Sequence, residues 1–235
     1  MYRQAIIGVL WALIIPLVSL ATFILLNASG VFNVGAISVP YPIYALLGLL
    51  LWQVFATILI ATTSSLVNAG AMVRKINFSK KALVLASAGQ SLVPFIIQVV
   101  LLSALFLYYR VTPSVYTLLI PIVVVPVILL SLGLGFLLSL ANAVARDVGS
   151  MVSILMGFLL FLTPILYLKP STGILAKIAD INPLYYLVSS ARDVLLKGTT
   201  SEWMGWVVSC LLSLAVFMFG LVVFHLTEVR VAERV

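Results

Sequence analysis

Charged residues are scarce in this sequence. Thirteen Lys and Arg and six Asp and Glu are spread over 235 residues, so that 8% of the chain is charged while 64% is hydrophobic. With a mean hydropathy of +1.29, the apolar surface would exceed what a core of this size could bury. The composition therefore excludes a soluble globular protein and predicts a protein that lies in a membrane.

Catalytic and metal-binding sequence patterns are also lacking. The sequence contains no G-x-x-x-x-G-K-[ST] phosphate-binding loop, no H-E-x-x-H and no G-x-S-x-G. The single cysteine, Cys210, can form no internal disulfide. The single histidine, His225, ends an apolar run, a position typical of an interface residue. We therefore expect no enzyme, no metal site and no cofactor bound by this chain.

Six long apolar stretches fill most of the chain, at about residues 7–27, 41–66, 83–108, 115–141, 151–168 and 203–226. Their lengths approach or exceed the roughly 20 residues that a helix needs to cross a bilayer. They are continuously apolar, which excludes the alternating strands of a membrane barrel. The first stretch is too long for the apolar region of a cleavable signal peptide. The sequence predicts an all-α integral membrane protein, a single domain over 1–235 with six transmembrane helices.

The basic residues concentrate in alternate connections between these stretches. Eight of the thirteen fall on one side: Arg3, Arg74, Lys75, Lys80, Lys81, Arg146, Arg230 and Arg234. The other side holds Arg110, Lys169, Lys177, Arg192 and Lys197. Because cytoplasmic loops carry the excess of Lys and Arg, both termini and the basic stretch "MVRKINFSKK" at 72–81 are predicted to face the cytosol. These cations lie in short loops beside spans, so nucleic-acid binding is not expected.

The predicted outer connection at 169–202 is too long for a turn and too apolar for a solvated loop. Apolar residues recur near helical spacing on both sides of Asn182-Pro183, where the residue before proline is disfavoured in a helix. The pattern predicts two short helices that re-enter the outer leaflet and form a candidate gate, since non-helical backbone at membrane depth is tolerated only inside protein or along a cavity. The alternative is a helix pair that rests at the interface with no role in transport.

Ionisable residues are scarce within the apolar stretches themselves. A secondary transporter or proton pump usually places such residues inside its spans, where they have a function. Here the charges lie at the predicted ends and loops, with Arg146-Asp147 between the fourth and fifth stretches. This distribution favours a permease that a separate ATPase drives.

Four short motifs follow one another along nearly the whole chain. They are "YRQAIIGVLWALIIPL", "NAGAMVRKINFSKK", "ANAVARDVGSMVSILMGFLLFLTPILY" and "INPLYYLVSSARDVLLKG". In this order they resemble the membrane subunits of ABC-2 type exporters, in particular the polysaccharide permeases that export O-antigen, capsule or teichoic acid. The sequence departs from the family at Ser79, where members usually have proline after the loop phenylalanine.

The resemblance implies that the loop at 68–82 is a cytosolic coupling element that docks on the ATPase. Apolar Ile76 and Phe78 suit a pocket, while the neighbouring cations suit an acidic rim. The alternative is that these cations only enforce topology and contact lipid phosphates. Arg146-Asp147 is either a second ATPase contact or a local pair that stabilises the turn. The predicted coupling residues are Arg74, Lys75, Ile76, Phe78, Lys80, Lys81, Arg146 and Asp147.

Prolines and aromatic residues suggest where the substrate path runs. Thr163-Pro164 should bend the fifth span near its outer end, and Pro94, Pro121 and Pro126 should bend the third and fourth spans. Aromatic rings stack on sugars but also form belts at membrane interfaces, so both interpretations stay open. The predicted path and gate residues are Trp11, Trp52, Phe55, Thr163, Pro164, Tyr167, Asn182, Pro183, Tyr185, Tyr186 and Arg192.

The resemblance implies a multi-pass permease of a bacterial or archaeal inner membrane that exports a lipid-linked polysaccharide. A homodimer of the permease would contact membrane lipids and two copies of a separate ABC ATPase, which would bind the ATP and Mg²⁺. The alternatives are an exporter of a small drug or lipid and, from another class, a non-transporting scaffold for envelope assembly. A scaffold would show no ATP-dependent activity, which separates it from both exporters.

Overall fold

The computed structural model describes residues 2–30, 37, 39–70, 79–200 and 202–232, and within them the side chains other than those of 2–13, 118 and 229–232. These residues are almost entirely helical and include no strand, which confirms the all-α class. The described α-helices are α1 Tyr2–Ala28, α2 Tyr41–Asn68, α3 Lys80–Ser91, α4 Val93–Tyr108, α5 Ile120–Val144, α6 Asp147–Leu162, α7 Ile174–Ile181, α8 Pro183–Lys197 and α9 Trp203–Ala232. A short 3-10 helix, Val115–Leu119, precedes α5.

The central helix of the bundle is α2. Nearly every residue from Ile43 to Leu59 is buried, because α1, α3, α4, α5, α6 and α8 all pack around it. A helix that is apolar on every side needs such an enclosed position. Its counterpart α5 packs along both α2 and α9.

Small residues allow α5 and α9 to come into backbone contact. A Cβ on Gly133 would lie 2.6 Å from the backbone of Phe217, and a Cβ on Gly220 would overlap the carbonyl of Gly133. Gly135 likewise leaves room for the Thr62 side chain of α2. Close approach through glycine is a usual way in which membrane helices gain packing contacts.

Four described helices are long and apolar enough to cross a membrane: Tyr41–Asn68, Lys80–Tyr108, Ile120–Val144 and Trp203–Glu228. The second of these comprises α3 and α4, which meet at Leu92. Ile14–Ala28 and Asp147–Leu162 are shorter apolar helices. Each of the six apolar stretches thus coincides with helix, while the number of spans remains a prediction. Large apolar side chains are exposed around the bundle, for example Leu107, Phe158 and Leu226, as expected for a surface in contact with lipid.

The positions of the prolines within the helices differ in part from the prediction. Pro121 lies in the first turn of α5, where a missing N–H costs nothing, so it begins a helix and does not bend it. Pro94 follows the interruption at Leu92 within the span Lys80–Tyr108, which is where the sequence predicted a bend of the third span. Among the three, only Pro126 lies inside its helix. The fifth stretch also ends earlier than predicted, because Thr163 before Pro164 adopts an extended conformation and α6 stops at Leu162.

The two ends of the bundle carry different groups of cations. One end, called here the Lys80 end, holds Lys80, Lys81 and Arg146, near the close of α2, α5 and α9. The opposite end, called the hairpin end, holds α7, α8 and the cations Arg110, Lys169, Lys177, Arg192 and Lys197. This grouping agrees with the alternation predicted from the sequence.

Two short helices separate α6 from α9, as the break at Asn182-Pro183 predicted. Asn182 is the N-cap of α8, and its Oδ1 accepts a hydrogen bond from Leu184 N at 3.0 Å. Pro183 occupies the first helical position, where it is well tolerated. Gly198 ends α8 with φ of +75°, a left-handed conformation in which a Cβ would be strained. The pair α7 and α8 is called the hairpin below.

Candidate functional site

The hairpin is tied to the end of α6 by two neighbouring polar side chains. Asn182 Nδ2 donates a hydrogen bond to Thr163 Oγ1 at 2.8 Å, while the same amide caps α8. Thr163 and Pro164 are buried. The break in α6 and the break between α7 and α8, each predicted as part of a gate, therefore contact one another.

Arg192 of α8 is buried at the centre of the hairpin end. Its Nη2 donates to the carbonyl oxygen of Ile165 at 2.5 Å, and its Cζ lies 3.7 Å from the ring centroid of Tyr44. Tyr44 Oη in turn donates to the carbonyl oxygen of Tyr167 at 3.3 Å. Arg192 thus joins the hairpin, the segment after α6 and the start of α2, through one hydrogen bond and one cation–π contact.

Lys169 lies just after the end of α6 and connects it to both the hairpin and α9. Its Nζ is 2.5 Å from Asp180 Oδ1, 3.9 Å from Glu202 Oε1 and 5.1 Å from the ring centroid of Tyr185. The hydrogen bond to Asp180 is the main reason why the pKa of Lys169 is raised above its usual value, with a further contribution from Glu202. The ammonium group therefore stays charged at neutral pH.

The tyrosines of this region are held by local hydrogen bonds. Tyr167 Oη donates to the carbonyl oxygen of Phe161 at 2.8 Å, and Tyr186 Oη donates to that of Asp180 at 3.0 Å. The rings of Tyr185 and Tyr186 form an edge-to-face pair with centroids 5.2 Å apart. Gly205 of α9 leaves the space that the Tyr186 ring occupies.

An open cavity of about 390 Å³ lies among these residues and is called here the outer cavity. It contains three of the predicted gate residues, Pro164, Tyr185 and Arg192, and it adds two further cations and one carboxylate. Its described lining is Ile37, Val39, Tyr44, Pro164, Leu168, Lys169, Tyr185, Ser189, Arg192, Asp193, Leu196 and Lys197. The cavity can receive a molecule whose negatively charged group lies near the cations and whose apolar part lies against Leu168 and Leu196.

The other predicted path residues are not part of this cavity. Trp52 and Phe55 lie on α2 in the apolar core, with ring centroids 5.8 Å apart. Trp11 belongs to α1, but its side chain lies outside the described part of the structure. Their role in a substrate path therefore stays a prediction.

At the Lys80 end, the described basic side chains contact the last helix. Lys81 Nζ is 3.3 Å from Glu228 Oε1 and 2.7 Å from His225 Nδ1, and Lys80 Nζ donates to the carbonyl oxygen of Glu228 at 3.1 Å. The four remaining coupling candidates of the loop, Arg74, Lys75, Ile76 and Phe78, lie outside the described residues.

The turn between α5 and α6 is stabilised by Asn142. Its Nδ2 donates to the carbonyl oxygen of Thr63 at 3.1 Å, and its Oδ1 accepts from Gly149 N at 2.8 Å. Arg146 and Asp147 are both exposed, and among the described residues neither forms an ion pair. The structure therefore gives no support to a local ion pair between Arg146 and Asp147. The turn is stabilised by Asn142 instead.

Comparison with known proteins agrees with this picture of a helical membrane subunit. The family model described as ABC-2 type transporter matches residues 1–196. The chain belongs to the ABC-2 type transporter family. It is 27% identical over 199 residues to the O-antigen export system permease protein RfbA of Myxococcus xanthus, covering 82% of this chain and 74% of that protein. It is 24% identical over 238 residues to the RfbA protein of Klebsiella pneumoniae, covering 99% and 89%.

Sequence reasoning missed several residues that organise this ABC-2 transporter. Tyr44 at the outer cavity and Gly48 beside Arg192 were not recognised, because a tyrosine and a glycine are ordinary residues in an apolar helix. Gln98 of α4 is buried and donates a hydrogen bond to Gln53 of α2. The two glutamines, each flanked by apolar residues, could have been recognised as a polar contact between helices of an ABC-2 transporter.

Proposed function

We propose that the chain is the transmembrane subunit of an ATP-driven exporter that moves lipid-linked polysaccharide out of the cytosol. The observation that carries the proposal is the alignment of almost the entire chain with permeases named for O-antigen export. The family match over residues 1–196 supports the permease class independently of any one relative. The power would come from a separate ABC ATPase, which would bind the ATP and Mg²⁺.

The proposed topology has six spans, with the Lys80 end in the cytosol of a bacterial or archaeal cell. Four helices of sufficient length support it directly, and α1 and α6 complete it as apolar helices that pack against the central α2. The excess of Lys and Arg in the connections at the Lys80 end supports the orientation. Both termini would then be cytosolic.

A homodimer is the proposed assembly, with two permease chains and two ATPase chains. One chain exposes large apolar side chains on several helices, including Ile96, Val100 and Ile154. Within a membrane, such surface contacts either lipid or a second copy of the chain. Two copies would provide twelve spans around a path of sufficient size for a glycan.

We further propose that the hairpin is a re-entrant gate on the outer side. Its apolar residues support insertion into the outer leaflet, since Ile174 is 78% exposed and Ile181 is 84% exposed. The Asn182 and Arg192 contacts would transmit movements of α6 and α2 to the hairpin. The Asn182 contact is a single hydrogen bond, whereas Arg192 makes a hydrogen bond to Ile165 and a cation–π contact with Tyr44, and opening of the gate would break them.

The loop at 68–82 is the proposed coupling element. Lys80 and Lys81 contact Glu228 and His225, which gives the end of the loop a mechanical connection to α9. Force applied at the loop by a closing ATPase would reach α9 by this contact and α2 by the covalent chain.

The proposal is tested by purifying the tagged full chain under mild conditions and measuring co-purified ATPase in lipid nanodiscs. We expect an ATPase with the wild type and its loss from the double variant Ile76→Asp, Phe78→Asp. The matched control is Val144→Asp, an exposed apolar residue at the same end but outside the loop. We expect the control to retain the ATPase.

Three results would contradict the proposal in different ways. Absence of any ATPase from the wild type would favour a scaffold over an exporter. Equal loss in the control would mean that the loop is not the specific contact. Stimulation of the ATPase by small amphipathic molecules but not by lipid-linked glycans would favour an exporter of a drug or lipid.

A further inference from the structure

We propose that the outer cavity binds a phosphate group carried by a lipid, with Arg192 as the principal ligand. This inference rests on the proposed function, because a lipid-linked cargo would bring a lipid headgroup to the hairpin end of the permease. It assigns the cavity a ligand chemistry that a gate by itself does not require.

Arg192 has unused hydrogen-bonding capacity although it is buried. Only 5% of the residue is exposed, and its Nε has no hydrogen-bond partner. Among the described residues it forms no ion pair with a carboxylate within 4 Å, and its guanidinium is held by the carbonyl oxygen of Ile165 and by Tyr44. Burying a guanidinium without a counter-charge is costly, so an anion that enters the cavity would be bound with little competition. The planar fork of N–H donors matches phosphate oxygens.

Arg192 is the cation of the cavity whose charge is least compensated by nearby carboxylates. Lys169 is bonded to Asp180 and approaches Glu202, while Lys197 Nζ is 3.2 Å from Asp193 Oδ1. Arg192 is therefore the one cation of the described lining without an ion pair. Its uncompensated charge would attract an anion.

One face of α8 presents these groups together. Ser189, Arg192, Asp193 and Lys197 follow at spacings of three, one and four residues, which places them along one side of a helix and along the cavity wall. Ser189 lies one turn before Arg192 on this face, and its hydroxyl can donate a hydrogen bond. An anion bound by the Arg192 guanidinium could therefore be contacted by Ser189 from the preceding turn and by Lys197 from the following one.

The surroundings favour a lipid over free phosphate. Leu168, Pro164 and Leu196 also line the cavity, so part of the wall is apolar. At about 390 Å³ the cavity lies at the lower end of the usual range for small-molecule pockets. It accommodates a headgroup, while acyl or isoprenoid chains would extend along the exposed apolar surface of the bundle.

The test measures lipid binding to the purified full chain in detergent without any ATPase, by native mass spectrometry. The probes are short-chain phosphatidic acid, the diacylglycerol that lacks its phosphate, and inorganic phosphate as competitor. We expect phosphatidic acid to bind and diacylglycerol not to bind. Arg192→Gln should weaken the binding of phosphatidic acid by about ten-fold or more, since a charge-assisted bond to the anion is lost.

Two further variants and one control make the result specific. Arg192→Lys keeps the charge but not the fork, so its affinity should lie between those of the wild type and Arg192→Gln. Lys197→Gln, at the exposed rim, should weaken binding by about two- to five-fold. Lys177→Gln removes an exposed cation of α7 that does not line the cavity, and it should bind as the wild type does.

Several outcomes would overturn the inference. These are equal binding of diacylglycerol, binding unaffected by Arg192→Gln, or inorganic phosphate that binds as tightly as phosphatidic acid, which would make the ligand a free anion. If Arg192→Gln does not fold, unchanged binding by Lys197→Gln would overturn the inference instead. Because no ATPase is present, failure here leaves the export proposal intact, and loss of the co-purified ATPase in the earlier experiment leaves this binding result unaffected.

Discussion

Gly48 of α2 lies directly against the guanidinium of Arg192 of α8. A Cβ added at Gly48 would be 2.5 Å from Arg192 Nη2 and 2.7 Å from the carbonyl oxygen of Ile165, the two groups that form the central hydrogen bond of the hairpin end. The absence of a side chain at one position of α2 is therefore what lets Arg192 reach across the bundle.

Gly48→Ala should destabilise the hairpin end. The added methyl group would force apart a packed backbone carbonyl and a buried side chain, and overpacking of this kind costs about 1–3 kcal/mol. Thermal unfolding of the purified protein in detergent would measure the loss. Gly157→Ala in α6 is the matched control, because a Cβ there meets nothing within 4 Å. It should leave the stability unchanged or raise it slightly, and equal stability of the two variants would contradict the packing described here.

Asn182→Ala should cost more than Thr163→Val. Both substitutions remove the hydrogen bond between α6 and the hairpin, but only Asn182→Ala also removes the N-cap of α8. An N-cap contributes about 1 kcal/mol, which is the expected difference between the two variants in free energy of unfolding. Protease sensitivity at 169–202 provides a second readout. Equal effects of both substitutions would mean that the cap is not formed in the membrane.

Gln53 and Gln98 should be energetically coupled. Replacing either by Leu leaves the other amide without its partner in an apolar core, whereas the double replacement removes both polar groups. A double-mutant cycle should therefore give a coupling of about 0.6 kcal/mol, and at most about 1.7 kcal/mol, the average and the maximum found for hydrogen bonds between membrane helices. Ser103→Leu controls for the substitution itself, since the hydrogen bond of the Ser103 side chain to described residues stays within α4. Additive effects of the two glutamine variants would refute the contact.

Glu228→Gln should reduce stability modestly and in a salt-dependent way. Glu228 is bonded to Lys81 at 3.3 Å, and the pair is partly exposed, so the expected loss is below about 1 kcal/mol. The difference from wild type should shrink at high ionic strength, because salt screens such pairs. Arg146→Gln removes an exposed cation of the same end that has no ion pair among the described residues, and its stability should respond less to salt. The same salt response in both variants would argue against the Lys81–Glu228 contact.

Much of the helical order followed from local pattern. Continuous apolar runs predicted where helices form, and Asn182-Pro183 predicted the break within the hairpin, because proline and its preceding residue restrict the backbone wherever they occur. The end of α6 was placed six residues too late, since the apolar run continues past Thr163-Pro164 although the helix does not. Pro121 was misjudged for a related reason, because a proline bends a helix only if the helix extends on both sides of it.

The candidate site was predictable in its parts and not in its assembly. Thr163, Asn182 and Arg192 were each proposed from motif or position, yet no sequence pattern joins Arg192 to Ile165, Tyr44 and Gly48. The coupling candidates Lys80 and Lys81 were recognised by charge, whereas their contact with Glu228 and His225 depends on the distant end of the chain. Helices that are apolar on every side carry no polar face to indicate which neighbour they meet.

The sequence by itself determined that this protein lies in a membrane, is helical, and divides its cations between two ends, because composition and the hydrophobic length of each segment act locally. The tertiary structure decided that α2 is central, that Gln53 meets Gln98, and that a buried Arg192 faces a cavity with donors unused. Those relationships depend on helix rotation and close approach at glycines, which arise from packing between segments far apart in the chain.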